Sequence, residues 1–129
     1  MRVALAGCGR IAFLLESDPL RYKPCTHLGA LRYLQQKDKK LQLIGFCDSN
    51  LNRARAAAEF MVHGKKPALV TQSFPELLTT KPDLLVIAAS TAAHFSMMRA
   101  ALKARVPRIV VEKPVVFSST EVNELRQLA

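Results

Sequence analysis

A chain of 129 residues, half of them hydrophobic, has room for one domain with a real core, which excludes a disordered or fibrous protein. Cys8, Cys25 and Cys47 are odd in number and lack metal-ligand spacing, so they argue against a disulfide framework and a metal site; with no secretory signal and no apolar run of roughly 18 residues, the expected setting is the cytoplasm, without membrane contact. The formal charge of +9 is the one anomaly, but its basic residues spread from Arg2 to Arg126 with only doublets such as Lys39-Lys40 and Lys65-Lys66, so no nucleic-acid partner is expected.

The chain opens with a short apolar run, Arg2 to Ala6, that reads as a buried strand. It feeds directly into Gly7-Cys8-Gly9-Arg10-Ile11-Ala12, a GxGxxA turn. Here Gly7 permits the tight turn, Gly9 lets the backbone approach a pyrophosphate, and Ala12 allows close packing of helix on strand. The phosphates are expected against N–H groups at the start of the following helix. Phe13 to Thr26 interrupts that helix with mixed charges and with Pro19 and Pro24, so this stretch reads as an inserted loop. It would overhang the cofactor crevice, with Arg21 and Lys23 either meeting pyrophosphate or substrate, or solvated at the surface.

His27 to Gln36 then reads as helix and Leu41 to Cys47 as strand, ending at Asp48. Asp48 lies farther from the glycines than the roughly 20 residues usual for a ribose-binding acid, and the inserted loop accounts for the excess. Its carboxylate would accept from a ribose 2′-hydroxyl and repel a 2′-phosphate, which favours NAD over NADP. Leu51 to Val62 reads as a helix rich in Ala and Arg, in which Arg53 faces solvent. A turn at Gly64 to Pro67, a weak strand at Ala68 to Val70 and a short helix at Pro75 to Thr79 follow.

Lys81-Pro82-Asp83 breaks the chain before Leu84 to Ala89, a continuous apolar strand of the kind buried on both faces. His94 to Ala104 reads as helix and Arg108 to Val111 as strand. Ser118 to Glu121 caps a final helix through a capping-box pattern. Strands separated by helix-length segments need right-handed crossovers, so the expected fold is a doubly wound parallel α/β sheet, Rossmann-like, in three α/β/α layers. No linker or repeat is visible, and residues 1–129 read as one dinucleotide-binding domain.

Glu112-Lys113-Pro114 follows directly on the last strand. Together with the GxGxxA turn, Asp48, and the helix entry Ser90-Thr91-Ala92-Ala93-His94, this triplet resembles the Gfo/Idh/MocA oxidoreductases, the glucose-fructose oxidoreductase and inositol dehydrogenase family. The resemblance implies an NAD- or NADP-dependent oxidoreductase whose substrate is a sugar, polyol or related hydroxy or carbonyl compound. It implies that Lys113 is catalytic, near the nicotinamide, bonding the reacting oxygen and sharing in its proton transfer. Lys113 also has a physical claim of its own, because a lysine at the carboxyl end of a parallel strand borders the ligand crevice.

The resemblance further implies cofactor contacts at Gly7, Gly9, Arg10, Ile11, Ala12, Asp48, Ser90, Thr91, His94, Glu112 and Lys113. The family usually has Thr-Pro-Asn where this chain has Ser90-Thr91-Ala92, whose two hydroxyls still reach the cofactor wall. His94 is read either as touching cofactor or as a packing residue at the helix start. Glu112 is read as structural or cofactor-facing, and His27 as packing. A second, C-terminal substrate and oligomerisation domain, expected of the family, is absent from this sequence, so the chain alone would bind dinucleotide without turnover. Two further readings stay open from the residues alone: a stand-alone NAD(H)-binding module without chemistry, and a basic interaction domain in which the glycines only form turns.

Overall fold

The computed structural model describes residues 1–61 and 68–129. Five strands, β1 (Arg2–Ala6), β2 (Gln42–Cys47), β3 (Leu69–Thr71), β4 (Leu84–Ile87) and β5 (Ile109–Val111), alternate with five helices. These are α1 (His27–Lys37), α2 (Leu51–Met61), α3 (Phe74–Thr79), α4 (Thr91–Lys103) and α5 (Ser119–Leu128). All strands are parallel, in the order β3-β2-β1-β4-β5. The chain therefore builds outward from β1 to β3, then crosses back to lay β4 on the other side of β1. This is the expected doubly wound sheet, and its strand order reverses between β1 and β4.

Strand periodicity divides the core in two. Val3 and Leu5 on β1 face one layer with Phe46, Leu28 and Leu31 of α1, and Ala54, Ala57 and Met61 of α2. Ala4 and Ala6 face the other with Leu85, Ile87, Leu77 of α3 and Ala101 of α4. β1 is thus buried on both faces, as a central parallel strand must be. Each large side chain here, such as Phe46 or Leu5, contributes about 1.5–3 kcal/mol by leaving water.

Local chemistry sets the element ends. Ser73 and Ser118 accept N–H bonds at the starts of α3 and α5, and at α5 the reciprocal Glu121 contact completes the expected capping box. α4 begins at Thr91, three residues before the expected His94, with Ser90 as its extended N-cap. The periodic pattern hid this first turn because Thr91, Ala92 and Ala93 carry little apolar contrast. The expected turn at Gly64 to Pro67, like the last residue of the predicted helix ending at Val62, lies outside the described residues.

After the glycines no long helix starts, as the interruption read at Phe13 to Thr26 implies. Residues 10–13 form a hydrogen-bonded turn, Leu14–Ser17 a short 3-10 helix, and regular helix begins only at His27. The helical ladder nevertheless resumes across the gap: the His27 and Leu28 N–H groups donate to the Ile11 and Ala12 carbonyls at 3.2 and 2.9 Å. In an uninterrupted helix residues 15 and 16 would make those bonds. The intervening residues are looped out of one helix.

A candidate cofactor site at the strand ends

The register of the sheet brings the C-terminal strand ends into one row. Gly7 N–H donates to the Cys47 carbonyl, Ala88 N–H to Ala6, and Glu112 N–H to Ile87. Asp48, Gly7, Ala88 and Glu112 therefore follow one another along the carboxyl edge of β2, β1, β4 and β5. In an open parallel sheet this edge, at the strand-order reversal, is where ligands bind.

The two glycines of the turn are glycine for different reasons. Gly7 has φ +89, and a Cβ on it would lie 2.4 Å from the Ala88 carbonyl carbon and the Ala89 nitrogen. Its backbone packs directly on the end of β4. A Cβ on Gly9 would meet nothing within 4 Å. Among the described residues no packing requires glycine there, which fits a position kept bare for a ligand's approach. The N–H groups of Gly9, Arg10 and Ile11 donate to no acceptor among the described residues. Ala12, wholly buried, sits in the core under this turn.

Asp48 is buried, and its carboxylate is already at work. Oδ2 accepts the Cys8 N–H at 2.7 Å and Oδ1 accepts the Asn50 N–H at 2.8 Å. The two oxygens of a carboxylate offer about four lone-pair positions, so capacity remains for hydroxyl donors. Burial, then the Asp48 charge and Cys47, push the Cys8 thiol up to about 12; burial, Asp48 and Glu76 push Cys47 up to about 11. These buried thiols are packing groups.

At the far end of the row, Lys113 is exposed and its two neighbours are tied down by histidines. His27 Nε2 lies 2.7 Å from Glu112 Oε1, while Glu112 Oε2 accepts the Lys113 backbone N–H at 3.2 Å. His94 is 1% exposed, with Nδ1 2.9 Å from the Pro114 carbonyl and Nε2 3.0 Å from the Ala89 carbonyl. Both ring nitrogens are therefore occupied by protein acceptors, which matches the packing alternative for His94. Ser90 is exposed and makes no side-chain capping bond, and Thr91 is half-buried at the helix start. Sequence reasoning read His27 as a packing residue and missed its contact with Glu112, a pairing 85 residues apart that no local pattern marks.

The cations of the inserted loop are exposed and find their partners within the loop. Arg21 pairs with Asp18 at 3.2 Å, and Lys23 donates to the Glu16 carbonyl. Arg53 is exposed, as read from its helix. A depression of about 350 Å³ between this loop and α1, lined by Glu16, Lys23, Arg32, Tyr33 and Phe60 among others, includes none of the strand-end residues. Among the described residues no His, Cys, Asp and Glu cluster could hold a metal, and no helix is long and apolar enough to cross a membrane.

The family model of oxidoreductases described as having an NAD-binding Rossmann fold matches residues 1–129. The chain belongs to the Gfo/Idh/MocA oxidoreductase family. This domain is the family's NAD-binding Rossmann fold, which sets aside the reading of a basic interaction domain. Solved structures agree. The WlbA dehydrogenase from Bordetella pertussis, in complex with NADH and UDP-GlcNAcA, superposes with a TM-score of 0.73 at 22% identity, over 99% of this chain and 34% of its own. UDP-N-acetylglucosamine 3-dehydrogenase GnnA from Acidithiobacillus ferrooxidans gives 0.67 at 27% identity, over 100% and 34%. KijD10, a 3-ketoreductase from Actinomadura kijaniata in complex with TDP-benzene and NADP, gives 0.73 at 20% identity, over 100% and 34%. The chain thus spans about a third of these Gfo/Idh/MocA-type structures. No curated protein matches it.

Proposed function

We propose that this domain holds NAD for an oxidoreductase that moves a hydride between the nicotinamide and a hydroxyl or carbonyl carbon of a sugar, a polyol or a nucleotide-linked sugar. The observation that carries the reading is Gly9: among the described residues a Cβ on it would meet nothing within 4 Å and the N–H groups beside it have no protein acceptor, and it follows β1 at the strand-order reversal. In this reading the N–H groups of Gly9, Arg10 and Ile11 bind the pyrophosphate, with Gly7 and Ala12 shaping the turn. Asp48 accepts from the adenosine ribose with the lone pairs that Cys8 and Asn50 leave, and its charge disfavours a 2′-phosphate. Ser90 and Thr91 line the cofactor wall with their hydroxyls.

Bound NAD supplies the hydride acceptor or donor. The chain's own contribution to chemistry is the Lys113 ammonium, which donates to the reacting oxygen and holds or returns its proton. Glu112, anchored to His27, orients that turn. The sugar-nucleotide preference rests on the names of WlbA and GnnA, both of which concern such molecules. Substrate contacts of the whole protein, and its homo-oligomer, would come from the two thirds of those chains that this one does not span. Three free cysteines suit a cytoplasmic setting.

Calorimetric titration of this chain with NAD and NADP tests the reading. Micromolar to millimolar NAD affinity, tighter than for NADP, is expected. A folded chain that binds neither dinucleotide sinks it.

A further inference from the structure

The turn that carries Lys113 leaves an edge strand of only three residues, and Lys113, Pro114 and Val115 are all exposed. Its last ladder bond is Glu112 N–H to Ile87. Beyond that point, among the described residues, the bonds that tie Glu112 to Pro114 to other elements come from two histidine side chains on two different helices. His27, the first residue of α1, holds the Glu112 carboxylate from one side. His94, in the first turn of α4, holds the Pro114 carbonyl from the other.

We propose that His27 and His94 are positioning residues that clamp Lys113 between them, a role that rests on the assignment of Lys113 to the chemistry. Glu112 as a carboxylate only accepts, so His27 must carry a proton on Nε2 to bind it. His94 faces a carbonyl at each ring nitrogen, Pro114 at Nδ1 and Ala89 at Nε2, so binding Pro114 requires the proton on Nδ1, and a neutral ring then leaves the Ala89 contact without a donor. Oε1 of Glu112 faces His27 and Oε2 accepts the Lys113 backbone N–H, so the carboxylate joins the backbone of Lys113 to the first residue of α1. A reacting group displaced by 1 Å can cost on the order of a hundredfold in rate, so a lysine on a free edge turn needs such ties.

The test is NMR on this chain labelled with ¹⁵N and ¹³C, with NADH as the cofactor probe. Long-range ¹⁵N spectra should show the proton on Nε2 of His27 and on Nδ1 of His94. His27→Ala should shift the Lys113 amide and side-chain resonances while leaving those of Gly45 in place, and should weaken NADH by about threefold to tenfold, the worth of one net hydrogen bond. His27→Gln, which keeps an N–H donor, should restore both. Glu112→Ala should give the same Lys113 shift, with no further shift in the double variant. A His94 ring without a proton on Nδ1, or Lys113 resonances unmoved in both His27→Ala and Glu112→Ala, overturns the proposal. Failure of the unaltered chain to bind NADH would sink the cofactor reading and leave the tautomers and Lys113 shifts to decide the clamp on their own.

Discussion

The Asp48 carboxylate accepts the Cys8 N–H at 2.7 Å across forty residues of sequence, so the residue that would read the ribose also fixes the glycine turn that would read the phosphates. One side chain thereby links the two halves of the proposed cofactor site.

Asp48→Ala leaves the buried Cys8 N–H without its acceptor, and should cost about 1–3 kcal/mol of stability. Its NAD affinity should fall about tenfold or more, as expected for losing hydrogen bonds to a charged acceptor. Asp48→Asn keeps a carbonyl oxygen for Cys8 and should recover most of the stability but not the affinity. Thermal unfolding and calorimetry on both variants separate the roles. Affinity that tracks stability in both would leave Asp48 a structural anchor only.

Gly7 and Gly9 should respond in opposite ways to alanine. Gly7→Ala forces a Cβ against the end of β4 at a positive φ, and should destabilise by about 2–4 kcal/mol through strain and overpacking. Gly9→Ala enters open space and should change stability by less than about 0.5 kcal/mol while weakening NAD binding. Equal loss of stability in the two variants would contradict the packing described above.

Thiol labelling at neutral pH should distinguish the three cysteines. Cys8 and Cys47 are buried and held protonated by burial and by the Asp48 charge, so both should stay unmodified while the chain is folded. Cys25, half-buried in the inserted loop, should react first. One fast thiol in the native chain and three after denaturation is the expected count by Ellman titration.

Acid should loosen the inserted loop through Glu16. Burial pulls against ionisation there, but bonds from the Thr26 hydroxyl, the Cys25 N–H and the Cys25 thiol, with the Lys23 charge, hold the carboxyl below the usual glutamate range. A carboxyl lowered by folding stabilises the native state above its unfolded value of about 4.3, and that stability disappears as pH falls through the folded value. Glu16→Gln should therefore lower Tm by about 1–4 °C at pH 7 and match the parent chain near pH 3. A Tm difference that persists at pH 3 would refute this.

Much of the fold was legible because strands and helices here are encoded in local periodicity. The predicted strand at Arg2 to Ala6 coincides with β1, and the helix from His27 matches α1 to within one residue. α4 was read three residues late because its first turn carries no apolar contrast. The helix that opens at the phosphate turn is a single turn, as the interruption read at Phe13 to Thr26 with its Pro19 and Pro24 implies, and the ladder resumes at His27.

The sequence by itself determined the alternation of elements, the glycine turn, the acid after the second strand and the Glu112-Lys113-Pro114 triplet. These are local facts: hydrophobic period, turn chemistry and spacing need no partner to be read. Only the tertiary structure decided which groups meet. The motif gives Gly7 and Gly9 different tasks, but only the structure shows Gly7 packed against the end of β4 and a Cβ on Gly9 meeting nothing among the described residues. His27 and Glu112 stand 85 residues apart, and His94 and Pro114 twenty. Those partnerships follow from the register of β1, β4 and β5, which sets the strand ends in one row, and register is a property of paired strands that no single segment carries.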